Sequence, residues 1–129
     1  MPMTRTGYLI DTWAWIEYFD HYCKEVVEIF DEGELIHTSI ISLTEVMTSF
    51  ARRKNAAGGH AATGKIMRIS QVLPITPTIA IRAGLYAKKE FPGGIADRII
   101  YATAEAHGLT ICTGDKDFKN VPGVLYLGE

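Results

Sequence analysis

Cysteine is scarce in this chain. Only Cys23 and Cys112 occur among its 129 residues, both in apolar surroundings and in no paired motif. That excludes a disulfide framework and a cysteine-built zinc site, and both read as buried free thiols suited to a reducing compartment. The four histidines, His21, His37, His60 and His107, show no metal-ligand spacing. They read as surface or structural, with His107 placed to act as a cation at a helix C-terminus. Excess charge is missing too. A formal net charge of −2 exerts no strong pull on nucleic acid, so any such binding must come from a local basic patch. No apolar run is long enough to cross a membrane, and "MPMTRTGYLI" has no signal-peptide core, so the expectation is a cytoplasmic protein. Repeats, low-complexity tracts, a P-loop and a dinucleotide glycine fingerprint are all absent. The length predicts one domain over residues 1–129, large enough to bury a core without staples.

What the chain does contain is an alternation of short apolar strands and helices. "GYLID" (7–11), "ELIHTS" (34–39), "QVLPI" (71–75), "LTICT" (109–113) and "VLYLG" (124–128) read as strands. Between them, "TWAWIEYFD", "KEVVEIFDEG" stopped by Gly33, "SLTEVMTSFARRK" and "TPTIAIRAGLYAKKEF" read as helices. "GGHAATGKIMRIS" reads as a helix begun by its glycines, and "GGIADRIIYATAEAHG" as one opened by glycines and closed by Gly108. Apolar strands alternating with helices predict an α/β fold with a parallel sheet covered on both faces. Right-handed crossovers then lead to a three-layer α/β/α sandwich around a central parallel sheet of about five strands. In such sheets ligands bind beyond the strands' carboxyl ends, where strand order reverses. That rule points to Asp11 after "GYLI" and to Asp115 after "LTICT".

Each acid in the chain that suits a site also has a plain structural use. Asp11 can cap the following helix. Glu45, three residues after Ser42 in "SLTE", completes a capping box, yet lies off the apolar face of Leu43, Val46 and Phe50, beside Thr48, Ser49 and Arg52. Asp97, in the first turn of its helix, suits the helix dipole, but its surroundings are almost wholly apolar. Asp115 and Asp117 form an ordinary turn after a strand. Together, all of these acids fall at a strand's carboxyl end or in a first helical turn near that edge. Crowded carboxylates repel and take up protons unless a cation offsets them. Oxygen donors without converging His or Cys suit Mg²⁺ or Mn²⁺ rather than zinc.

With "YLIDT", "SLTEV", "ADRIIYATAEAHGLTICTGDKDF" and the closing "VLYL" in place, essentially the whole chain resembles the PIN-domain ribonucleases, which include VapC-type toxins. The resemblance implies the same α/β/α sandwich. It maps the family's metal-ligating and catalytic acids onto Asp11, Glu45, Asp97 and Asp115. Asp117 is an additional member, ligating directly, through a water or by orienting the site. Thr113 falls at a supporting hydroxyl position. The implied activity is Mg²⁺- or Mn²⁺-dependent hydrolysis of RNA phosphodiester bonds. The implied partners are a second copy in a homodimer and a protein antitoxin that covers the active site. Trp13 and Trp15 depart from the small or polar residues that many relatives carry there, and "FPGGIA" before Asp97 is unusually rich in glycine.

An acidic site meets RNA only with basic help. "RRK" (52–54), Lys65 with Arg68, Lys88–Lys89 and Lys116 with Lys119 are available. Arg52 and Lys116, nearest the acids, are the expected RNA contacts. The aromatics of "TWAWIEYFDHY" are expected to serve core packing and an interface before base stacking. The rival reading is a non-catalytic RNA- or protein-binding module on the same fold, whose mark would be a broken acid set. A dehalogenase-like phosphotransferase would need an aspartate where Trp13 stands.

Overall fold

The computed structural model describes residues 7–31, 35–86, 91 and 93–128. Five strands form one sheet: β1 (Tyr8–Ile10), β2 (Ile36–Ser39), β3 (Gln71–Leu73), β4 (Thr110–Thr113) and β5 (Val124–Tyr126). Their order across the sheet is β3-β2-β1-β4-β5, and every pairing is parallel. From β1 the chain builds outward in one direction through β2 and β3. It later returns to build β4 and β5 on the other side, so the order reverses between β1 and β4.

Among the described residues, six α-helices cover the sheet: α1 (Thr12–His21), α2 (Lys24–Asp31), α3 (Ile40–Arg52), α4 (Ala56–Ile69), α5 (Pro77–Leu85) and α6 (Ile95–His107). Adjacent strand residues point to opposite faces, and β1 divides the core accordingly. Ile10 and its register partner Cys112 face one cluster, filled by Trp15, Val26, Val46, Phe50 and Ile66 from α1 to α4. Leu9 and its partner Ile111 face the other, with Ile100 and Ala104 of α6, Phe91 and Phe118. The α/β/α sandwich with about five parallel strands is therefore the observed architecture.

Several local readings shift. The cap of α3 is Ser39, the last residue of β2, whose hydroxyl accepts from the Ile41 N–H. The helix starts directly on the strand end, so Ser42 lies within its first turn and "SLTE" is not a capping box. Asn55, not the glycines, begins α4 and caps it through the Gly58 N–H. Gly58 and Gly59 lie inside the helix. A Cβ on Gly59 would come within 2.6 Å of Met47 Sδ and 3.1 Å of Phe50 Cβ, so the missing side chain lets α3 and α4 pack closely. Helix α5 ends at Leu85, before Tyr86. Cys112 is buried but Cys23 is partly exposed, its thiol donating to Glu25. The expected stop at Gly33 and the pair Lys88–Lys89 lie outside the described residues.

The aromatic run on α1 divides between core and surface. Trp15 is fully buried against Tyr18, Phe19 and Phe30. Tyr22, in the left-handed conformation that ends the helix, is 67% exposed. Among the described residues, no helix is long and apolar enough to cross a membrane.

Candidate metal centre

The reversal of strand order places Asp11 and Asp115 side by side in the fold, each just beyond the carboxyl end of its strand. Asp11 is almost wholly buried, at 2% exposure. It caps α1, its Oδ2 accepting from the Trp13 N–H at 3.3 Å. The same oxygen accepts from the Thr113 hydroxyl at 2.7 Å. Thr113 in turn accepts from the Asp115 N–H at 3.0 Å, so one buried hydroxyl joins the ends of β1 and β4. Burial pushes the Asp11 carboxyl up from 3.8 to about 6, and the Asp115 charge adds to this, while the donated hydrogen bonds hold it down.

Asp115 caps the 3₁₀ turn Lys116–Phe118 by accepting from the Asp117 N–H at 3.0 Å. The turn aims both carboxylates the same way, and the fully buried Phe118 pins it to the core against Phe91. Gly114 is needed ahead of it, because a Cβ there would meet the Trp13 ring at 2.5 Å.

Asp97 comes from the first turn of α6, which starts at Gly94 without a side-chain cap. One carboxylate oxygen each from Asp97, Asp115 and Asp117 lies within 4.8 Å of the others. Burial, followed by the charges of Asp11, Asp115, Asp117 and Glu45, pushes the Asp97 carboxyl from 3.8 to about 7. Glu45 belongs to the same field. Its Oε1 accepts from the Thr12 hydroxyl at 2.7 Å, and Thr12 Oγ1 is also 2.9 Å from Ser42 Oγ.

The fold therefore gathers all five acids singled out in the sequence at one sheet edge. Asp97, Asp115 and Asp117 form the tightest group, with Asp11 and Glu45 beside them. None of the ion pairs among the described residues involves any of the five. Such a crowd of like charges, with donors that are all oxygen, fits a divalent cation such as Mg²⁺ or Mn²⁺. Burial and the neighbouring Asp11 charge push the Cys112 thiol up to about 12, too high to offer a thiolate ligand.

Three supporting residues escape a reading of the sequence. Thr12 steadies Glu45 across 33 positions of chain, and its Oγ1 lies 2.9 Å from Ser42 Oγ across 30, relations that only the packing of α1 on α3 creates. A Cβ on Gly93 would come within 2.8 Å of Asp97 Oδ2 and 2.6 Å of Phe91. "FPGGIA" carried that signal as two adjacent glycines, without saying which one a carboxylate would need.

The sequence profile of the PIN domain matches residues 8–124. No curated protein sequence matches the chain significantly. Among solved structures, it is similar to a toxin–antitoxin complex from Klebsiella pneumoniae, at 26% identity and TM-score 0.73, covering 92% of this chain and 96% of that one. It is also similar to DNA-bound VapBC from Salmonella typhimurium, at 22% identity and TM-score 0.78, covering 95% and 97%. A third is VapC20 from Mycobacterium tuberculosis, a Sarcin-Ricin loop cleaving toxin, at 19% identity and TM-score 0.70, covering 88% and 93%. With a family profile that spans residues 8–124, the chain belongs to the PIN domain family.

Proposed function

We propose that this protein is a metal-dependent endoribonuclease, the toxin of a toxin–antitoxin pair, acting as a single domain in the cytoplasm. The observation that carries the reading is the convergence of Asp97, Asp115 and Asp117 beside buried Asp11 and Glu45. Membership of the PIN family and likeness to a toxin–antitoxin complex support it. Structural evolution does not accumulate repelling carboxylates at a sheet edge for stability, since each neighbour makes Asp97 harder to ionise.

Asp97, Asp115 and Asp117 would hold a Mg²⁺ or Mn²⁺ ion, with Asp11 and Glu45 completing the charged wall. Such an ion supplies Lewis acidity, making water a better nucleophile and offsetting charge on the phosphoryl group. The chain's own residues set the stage for hydrolysis of the phosphorus–oxygen bond. Thr113 fixes Asp11 in one orientation and ties it to Asp115. Thr12 does the same for Glu45. Asp97 holds a proton up to near neutral pH when nothing offsets its neighbours, and a bound cation would favour its release. Lys116, exposed on the turn between Asp115 and Asp117, is placed to meet a substrate phosphate.

A homodimer and an antitoxin that covers the acidic edge complete the proposal. The test is cleavage of single-stranded and structured RNA with Mg²⁺, with EDTA, and by Asp97→Asn. Cleavage by the wild type in Mg²⁺ alone is expected; equal cleavage in all three would refute the nuclease reading.

A further inference from the structure

The two arginines that follow one another at the end of α3 have different fates. Arg53 is committed to the fold. Its guanidinium pairs with Asp20 at 3.0 Å, donates to the Ser49 carbonyl and lies 4.4 Å over the Phe50 ring. Arg52 is exposed and has no hydrogen-bond or ion-pair partner among the described residues. It sits at the rim of an open groove of about 490 Å³, lined by Thr12, Ile16, Glu45, Thr48, Ser49 and Arg52.

The lining follows helical geometry. On α3, positions 45, 48, 49 and 52 share one face, and on α1 positions 12 and 16 do. The groove thus carries a graded chemistry along its length. It begins at Glu45 within the acidic centre, passes two hydroxyls that have no partner among the described residues, and ends at a free guanidinium. Seven residues of helix span roughly 10 Å, room for about three stacked nucleotides at roughly 3.4 Å each.

We propose that this α1–α3 groove is the subsite for the RNA strand on one side of the bond to be cut. Arg52 holds a backbone phosphate, Thr48 and Ser49 meet a ribose 2′-hydroxyl, and Ile16 lies under a base. The inference rests on the nuclease reading and gives that site a direction and a recognition element. The lining favours RNA over a protein partner: a docked helix needs a continuous apolar stripe, and only Ile16 is apolar here. A guanidinium and hydroxyls without partners among the described residues suit a polyanion with ribose, and the 2′-hydroxyl is the group that separates RNA from DNA.

The test measures binding of a labelled single-stranded RNA to Asp97→Asn protein, so that cleavage does not intrude. The background is compared with added Arg52→Ala, with added Thr48→Val/Ser49→Ala, and with Arg68→Ala on α4 as a control. Arg52→Ala is expected to weaken binding about tenfold and to reduce the salt slope by about 0.7, the single-strand value for one phosphate. The hydroxyl-deleting pair is expected to bind RNA several-fold more weakly while leaving DNA of the same sequence unchanged. Arg68→Ala should leave both unchanged. Unaltered affinity and slope for Arg52→Ala would overturn the subsite, even if the wild type cleaves RNA, and would leave the groove to a protein partner. Loss of binding in Arg52→Ala with no cleavage by the wild type in Mg²⁺ or Mn²⁺ would sink the nuclease reading and keep the groove. No RNA binding by the parent protein overturns the subsite outright.

Discussion

Asp11 and Asp97 occupy two sides of one acidic site and are held by opposite means. Asp11 is the more deeply buried, yet its carboxyl rises only to about 6, because Thr113 and the start of α1 donate hydrogen bonds to it. Asp97 is less buried and rises further, to about 7, because its burial is joined by the charges of four neighbouring acids. On one side the protein's own hydrogen bonds offset part of the cost of a buried negative charge. On the other, neighbouring acids add to that cost, and a cation would offset it. The β1–β4 edge is therefore a finished structural element, and the N-terminus of α6 is the part that a bound cation would alter.

That contrast predicts opposite signs. Asp97→Asn should lower cleavage more than about 100-fold and abolish any rise in melting temperature on adding Mg²⁺. At pH 8 without metal, the same variant should be more stable than the wild type. Thr113→Val should cut activity about 10–100-fold and also destabilise the metal-free protein by about 1–3 kcal/mol, since Asp11 and the Asp115 N–H both lose a buried partner. Calorimetry of both variants with and without Mg²⁺ decides the matter. If both shift metal-free stability in the same direction, the two sides are not different in kind.

A third variant tests the close approach behind Asp97. Gly93→Ala forces a methyl against Phe91 and the Asp97 carboxylate and should cost about 1–3 kcal/mol, read by chemical denaturation. The smallest effect is the pH dependence. Asp11 and Asp97 are both raised above 3.8, so the folded chain holds protons that the unfolded chain has released. The stability they confer is complete below about pH 4 and is lost as pH rises through about 6 and then about 7. Asp97→Asn should remove the upper part of this loss. Its advantage at pH 8 is about 1 kcal/mol after allowing for exposure, or roughly 4 °C, and should vanish near pH 4. Melting curves in EDTA across this range check the sign.

The sheet and the acids were legible because each depends on local pattern. Short apolar runs between amphipathic stretches mark parallel strands, and the carboxyl-edge rule picks out Asp11 and Asp115 without any knowledge of packing. Helix starts were less legible. Ser39 ends β2 and caps α3 in one step, so the capping-box pattern at Ser42 marked a helix start that the strand's end places three residues earlier. Gly58 and Gly59 look like a helix beginning because glycine weakens helices, but the close packing of α3 on α4 overrides that cost. The roles of Thr12, Ser42 and Gly93 depend on neighbours distant in sequence or on contact between side chain and backbone. The division of labour between Arg52 and Arg53 depends on Asp20, which only the tertiary fold brings within reach.

The hydrogen bond from Thr113 to Asp11 spans 102 positions of chain and has a consequence for timing. During synthesis at about 5–20 residues per second, β1, β2 and β3 leave the ribosome well before β4. Asp11 and Glu45 are then present, but Asp97, Asp115 and Asp117 are not. A nascent or truncated chain lacking β4 has no acidic centre to load, whatever the ion concentration around it. The central place of β1, with one neighbour made early and the other made late, leaves the site unassembled until β4 has been made.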